Sequence, residues 1–101
     1  MMIKAKHWIN AKMELTMIGM EWAKIMVAAQ KYQWMPEFLW TKEQLEEVLD
    51  LYERAYELAR REFEIFLITE MYDRIPTVTD TFDRLDSEIW SLKSRLATMV
   101  A

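Results

Sequence analysis

The chain contains no cysteine, a single glycine and two prolines in 101 residues. The missing thiols exclude disulfide frameworks, thiolate metal sites and cysteine nucleophiles. So few glycines and prolines leave out the turn chemistry that an all-β fold needs, so helices are expected. Histidine occurs once, as His7. It has no carboxylate three or four residues away, so a helical His/Glu ligand pair is absent and His7 reads as a surface or interface residue. Without a second base, Ser87, Ser91 and Ser94 have no partner for a nucleophilic triad. Long apolar runs are missing too. The stretch after the basic start Met1-Met2-Ile3-Lys4-Ala5-Lys6 is interrupted by Glu14, Glu21 and Lys24, so neither a signal-peptide core nor a membrane span of about 18 residues is expected. These absences point to a cytoplasmic protein.

What is present is apolar and charged in a globular proportion, 52% hydrophobic and 30% charged, and the length suits one helical domain over residues 1–101. The net charge of −4 is unevenly spread: residues 1–36 carry five lysines against Glu14 and Glu21, a surplus of three positive charges, which leaves −7 for the remainder. No segment clusters Lys and Arg along one face, so direct nucleic-acid binding is disfavoured.

Three helices follow from the periodicity. Between Lys4 and Trp34, Trp8, Ala11, Leu15, Ile18, Trp22, Ile25 and Ala29 alternate spacings of three and four, one apolar helix stripe that should stop before Pro36. Gly19 interrupts it, which allows a bend or a close helix contact. Thr41 and Gln44 form a capping box, with Trp40 placed to staple onto Leu45. From there the second helix is expected to run to about Arg74, supported by the pairs Asp50/Arg54, Glu57/Arg61 and Glu70/Arg74. Its main stripe is Leu45, Val48, Leu49, Tyr52, Tyr56, Ala59, Phe63 and Phe66. A second line, Leu51, Leu58, Ile65 and Tyr72, recurs every seven residues, so this helix should pack against two neighbours. The break is expected at Ile75-Pro76-Thr77-Val78-Thr79-Asp80 with Thr79 or Asp80 as cap, followed by a third helix with the seam Phe82, Leu85, Ile89, Leu92, Leu96 and Met99. Helices of this length make an elongated three-helix bundle with coiled-coil-like packing.

Two surfaces stand out as candidate sites. Behind the main stripe of the first helix, Ile9, Met13, Met20, Val27 and Trp34, with Met17 beside them, form a second apolar ridge. It reads either as core or as an oligomer or partner interface, the latter favoured by 9 Met and 5 Trp. Lys4, Lys6, Trp8 and Lys12 lack the wide lysine-rich face of a membrane-surface helix. On the second helix, Glu43, Glu46, Asp50, Glu53 and Glu57 repeat at three and four, and Glu64 continues the face. This acidic stripe is either an ordinary solvated face or a phosphate-strand mimic for the basic groove of a DNA- or RNA-processing enzyme.

A third pattern is Glu43-x-x-Glu46 followed, after 23 residues, by Glu70-x-x-Asp73. It resembles the magnesium motif of the MazG-type nucleotide pyrophosphohydrolases, which are all-α and oligomeric. The resemblance covers four residues and implies a metal held between neighbouring helices. On one unbroken helix the two halves would instead lie about 40 Å apart. The expectation is therefore a non-catalytic, cofactor-free interaction module, an adaptor or inhibitor of a larger macromolecular machine, which associates with itself as a homodimer or higher oligomer and binds another protein.

Overall fold

The computed structural model describes the backbone of residues 5–100 and the side chains of residues 8–99. Three helices, α1 (Ala5–Ala29), α2 (Lys42–Ile68) and α3 (Ile75–Val100), form an all-α bundle, with short 3-10 turns at Glu37–Leu39 and Tyr72–Arg74. The bundle is elongated, 54 × 20 × 18 Å, with a radius of gyration of 16.5 Å against about 13 Å for a compact domain of this length.

Helix α2 packs against both of the others, as its two apolar lines require. One buried cluster joins Ile25 of α1, Ala55, Ala59 and Phe66 of α2, and Val78 and Leu85 of α3. A second joins Leu45 and Val48 to Leu92, with Tyr32 and Trp40 packed against it. Tyr72, the last member of the second line, lies past the end of α2 and is exposed.

The start of α2 is built as its sequence prescribes. The Thr41 hydroxyl accepts from the Gln44 backbone N–H at 3.2 Å, while the Thr41 N–H donates to the Gln44 side-chain oxygen at 2.9 Å.

Both interhelical boundaries differ from expectation. Helix α1 ends at Ala29 rather than Trp34, and the chain tightens into successive three-residue turns, with Gln30 donating to the Val27 carbonyl and Lys31 to that of Ala28, both at 3.2 Å. Trp40 draws this connector back onto the bundle: its indole N–H donates to the carbonyls of Tyr32 (3.1 Å) and Met35 (3.3 Å).

Helix α2 stops at Ile68 rather than Arg74. Thr69 is the C-cap, Glu70 takes a left-handed conformation (φ 59°), Met71 donates to the Phe66 carbonyl at 2.8 Å and Glu70 to that of Leu67 at 3.3 Å. This is a Schellman ending in which glutamate occupies the position that glycine usually takes. The break therefore falls at Thr69–Met71, and α3 begins at Ile75. Pro76 sits in the first turn, where its missing N–H leaves no bond unmade. Thr79 and Asp80 lie inside the helix instead of capping it, and Val78 is fully buried. Gly19 produces no break, since α1 is helical throughout and no glycine has positive φ.

Candidate functional site

The apolar ridge of α1 points into solvent. At 100° per residue, Ile18 and Ile25, both buried, mark the core side, and Ile9, Met13, Met20 and Val27 lie on the opposite side of the same helix. Met17 flanks them. These five side chains are 59–74% exposed. Trp34 is also exposed, but it belongs to the turn after Ala29 and so leaves the ridge.

Two small residues complete the face. Thr16 and Ala23, both exposed, fill the positions between Met13 and Met20 and between Met20 and Val27. The Thr16 hydroxyl already donates to the Lys12 carbonyl at 3.0 Å, so its polar group has a partner within its own helix. Sequence reasoning that sought large apolar residues passed over both. The seven-residue spacing of Ile9, Thr16 and Ala23 alongside Met13, Met20 and Val27 is the signal that would have found them.

The acidic stripe is exposed along its whole length. Three of its six carboxylates already have a cation beside them: Glu46 with Lys42 at 3.9 Å, Glu57 with Arg60 at 3.8 Å and Glu64 with Arg61 at 3.0 Å. Glu43, Asp50 and Glu53 complete the row, which alternates sign more than a phosphate strand does. Arg61 does not use Glu57, the partner expected from spacing. It reaches across to Glu14 of α1 through two of its nitrogens, one of them at 2.9 Å. The hydrogen bond from Arg61, opposed by partial burial and aided by the guanidinium charge, holds the Glu14 carboxyl below its ordinary range.

The MazG-like carboxylates are not brought together. Glu43 and Glu46 stand in the first turns of α2, which continues unbroken through Ala55–Arg61, and Glu70 and Asp73 lie past its far end. Between Glu46 and the end of α2 run residues 47–68, twenty-two helical residues or about 33 Å, before Glu70 is reached. Among the described residues no group of three or more His, Asp or Glu side chains is arranged to hold a metal ion. The His7 side chain lies outside the described residues, as do those of Lys4 and Lys6. Lys12 stacks over the Trp8 ring, 4.7 Å from its centroid, and no helix among the described residues is long and apolar enough to cross a membrane.

A groove of about 340 Å³ touches all three helices, floored by Ile18 and Ala59, with Glu62, Thr81 and Arg84 at its rim. Burial raises the Glu62 carboxyl above its ordinary range, against the opposing charge of Arg74. The Thr81 hydroxyl donates to the Thr77 carbonyl at 3.1 Å. Further large apolar side chains are exposed away from the α1 ridge: Phe38 and Leu39 in the first connector, Leu67 and Ile68 at the end of α2, Tyr72 just after it, and Trp90 and Met99 on α3. They are scattered rather than aligned in one row, and Met99, expected in the α3 seam, is exposed near the end of that helix. No protein-family model, curated protein or solved structure matches the chain, so the geometry of these surfaces is what bears on function.

Proposed function

We propose that the protein acts by binding protein rather than by catalysis, as a self-associating adaptor or inhibitor module whose contact surface is the outward ridge of α1. The observation that carries this reading is four large apolar side chains in one row, across the helix from its own core contacts, with Met17 exposed on their flank. A typical monomer's largest apolar patch is about 300–600 Å² and is often functional; at their exposures these five residues present on the order of 600 Å² on one side of α1. Helix α1 is also distinctly less amphipathic than α2 or α3, as expected of a helix with apolar contacts on two sides.

Light scattering over a concentration series tests the reading. The expected mass in the micromolar range is at least twice the 12.3 kDa of one chain. It should change little when salt is raised from about 0.1 M to about 1 M, because apolar contacts are not screened. A monomer at every concentration overturns the proposal. Association that dissolves in salt transfers the contact to the charged face of α2.

A further inference from the structure

We infer that the occupant of the α1 ridge is the α1 ridge of a second copy, laid antiparallel about a two-fold axis at the level of Ile18. This rests on the binding reading above and adds the partner and its orientation. The ridge has the register of a two-stranded seam: Met13, Met20 and Val27 repeat every seven residues, and Ile9, Thr16 and Ala23 repeat every seven residues between them, all of them exposed.

Antiparallel pairing about Ile18 sets Met13 against the second copy's Ala23, Met20 against its Thr16 and Val27 against its Ile9. Each methionine then meets a small residue, and the β-branched aliphatic residues Val27 and Ile9 meet each other. Parallel pairing in register sets like against like. Its Met13 and Met20 layers would be crowded and its Thr16 and Ala23 layers hollow, and seams pack by alternating large and small.

The remaining observations agree with the antiparallel pair. Thr16 can enter a dry seam because its hydroxyl is bonded to Lys12. Met17 flanks the seam close to the axis, where it crosses its own symmetry mate. Lys12 and Lys24 fall on opposite flanks, so each faces uncharged residues of the second copy. The two helix dipoles oppose each other. Each copy offers about 600 Å² from its five large side chains, which doubles to the lower end of the range for stable interfaces, about 1,200–2,000 Å² in total.

The absence of cysteine makes cross-linking a direct test. Met13→Cys and Ala23→Cys are purified separately and checked by far-UV circular dichroism. They are then mixed, allowed to exchange chains, oxidised with copper–phenanthroline and resolved by mass. The expected result is a disulfide joining one Met13→Cys chain to one Ala23→Cys chain, formed at least tenfold faster than by either variant alone. In the antiparallel pair two Met13 positions are ten residues apart along the axis, about 15 Å, beyond the reach of a disulfide. The pair Thr16→Cys and Met20→Cys repeats the test should either first variant fold poorly. Cross-linking of each variant with itself overturns the orientation and leaves the ridge as the contact. A dimer by light scattering that cross-links in none of these ways places the interface elsewhere and overturns both readings.

Discussion

Replacing Met20 with lysine separates a binding ridge from a core. In one chain Met20 is 60% exposed and lies across α1 from Ile18 and Ile25, so the substitution removes little packing. Met and Lys have similar helix propensities, and the expected change in the stability of the single chain is within about 0.5 kcal/mol. In the associated protein each Met20 would lose about 100 Å² of apolar burial, about 2.5 kcal/mol at 25 cal/mol per Å². Two copies make this about 5 kcal/mol, part of which is recovered because lysine can extend its charge to water. A weakening of roughly a thousandfold in dissociation constant remains. Ile25→Lys is the control. Ile25 is 4% exposed within the main core cluster, and an unpaired charge there should unfold the chain. The assay pairs light scattering with far-UV circular dichroism on both variants. The expected outcome is a helical monomer for Met20→Lys and loss of helicity for Ile25→Lys. If Met20→Lys unfolds as Ile25→Lys does, or associates as the parent does, the reasoning fails.

Three further predictions test the frame that carries the ridge. Thr41→Ala removes the hydroxyl half of the capping box and should lower stability by about 1 kcal/mol in chemical denaturation; no change would mean that the box contributes nothing. Tyr56→Pro, in the middle of α2, should cost about 3 kcal/mol or more and abolish cooperative melting, whereas an unchanged melting point would mean a helix already interrupted there. Glu14→Gln tests the ion pair with Arg61. The Glu14 carboxyl is depressed in the folded chain by the Arg61 hydrogen bond, so its contribution is present above the unfolded pKa and is lost as pH falls through the folded value. Both groups are exposed to solvent, so the contribution is small. The difference in stability between parent and variant should be full at neutral pH and vanish in strong acid. A difference that is the same at both ends would assign the effect to packing instead of charge.

Features set by local chemistry could be read from the residues alone. Thr41 and Gln44 are both halves of the capping box, and the stripe through Ile18, Ile25 and Ala29 is buried as its spacing requires. The second boundary lacks its usual marker: Glu70 stands where glycine would signal the Schellman ending, and Pro76, which reads as a terminator, opens a helix. The end of α1 falls earlier than its periodicity suggests, and the connector is held by a contact distant in sequence, the Trp40 indole reaching back across the turn to Tyr32. Likewise Arg61 chose Glu14 over its helical neighbour Glu57, a contact that exists only once α1 and α2 are packed. For the candidate site, the ridge was legible as a second apolar line. Its outward direction was not, since periodicity reports two faces without saying which one a neighbour covers.

Gly19 supplies the last prediction, because it sits in mid-helix without a conformational reason to be glycine. Its φ is not positive, and a β-carbon built there meets nothing within 4 Å in one chain. In a helix interior glycine costs about 1 kcal/mol relative to alanine, through the entropy lost on folding. For the isolated chain, Gly19→Ala should therefore be stabilising by about 0.5–1 kcal/mol, which for a domain of this size raises the melting temperature by about 3–6 °C. In the antiparallel pair the two Gly19 positions flank the axis on one side of the seam, one residue from the level of Ile18. There the added methyl enters space that the second copy borders, and the gain in the single chain is offset on association. Melting at two concentrations separates the two contributions. A dilute sample that gains several degrees beside a concentrated one that gains less is the expected pattern. An equal gain at both concentrations would remove Gly19 from the contact, and no gain in the dilute sample would show that its cost in the helix is met within the single chain.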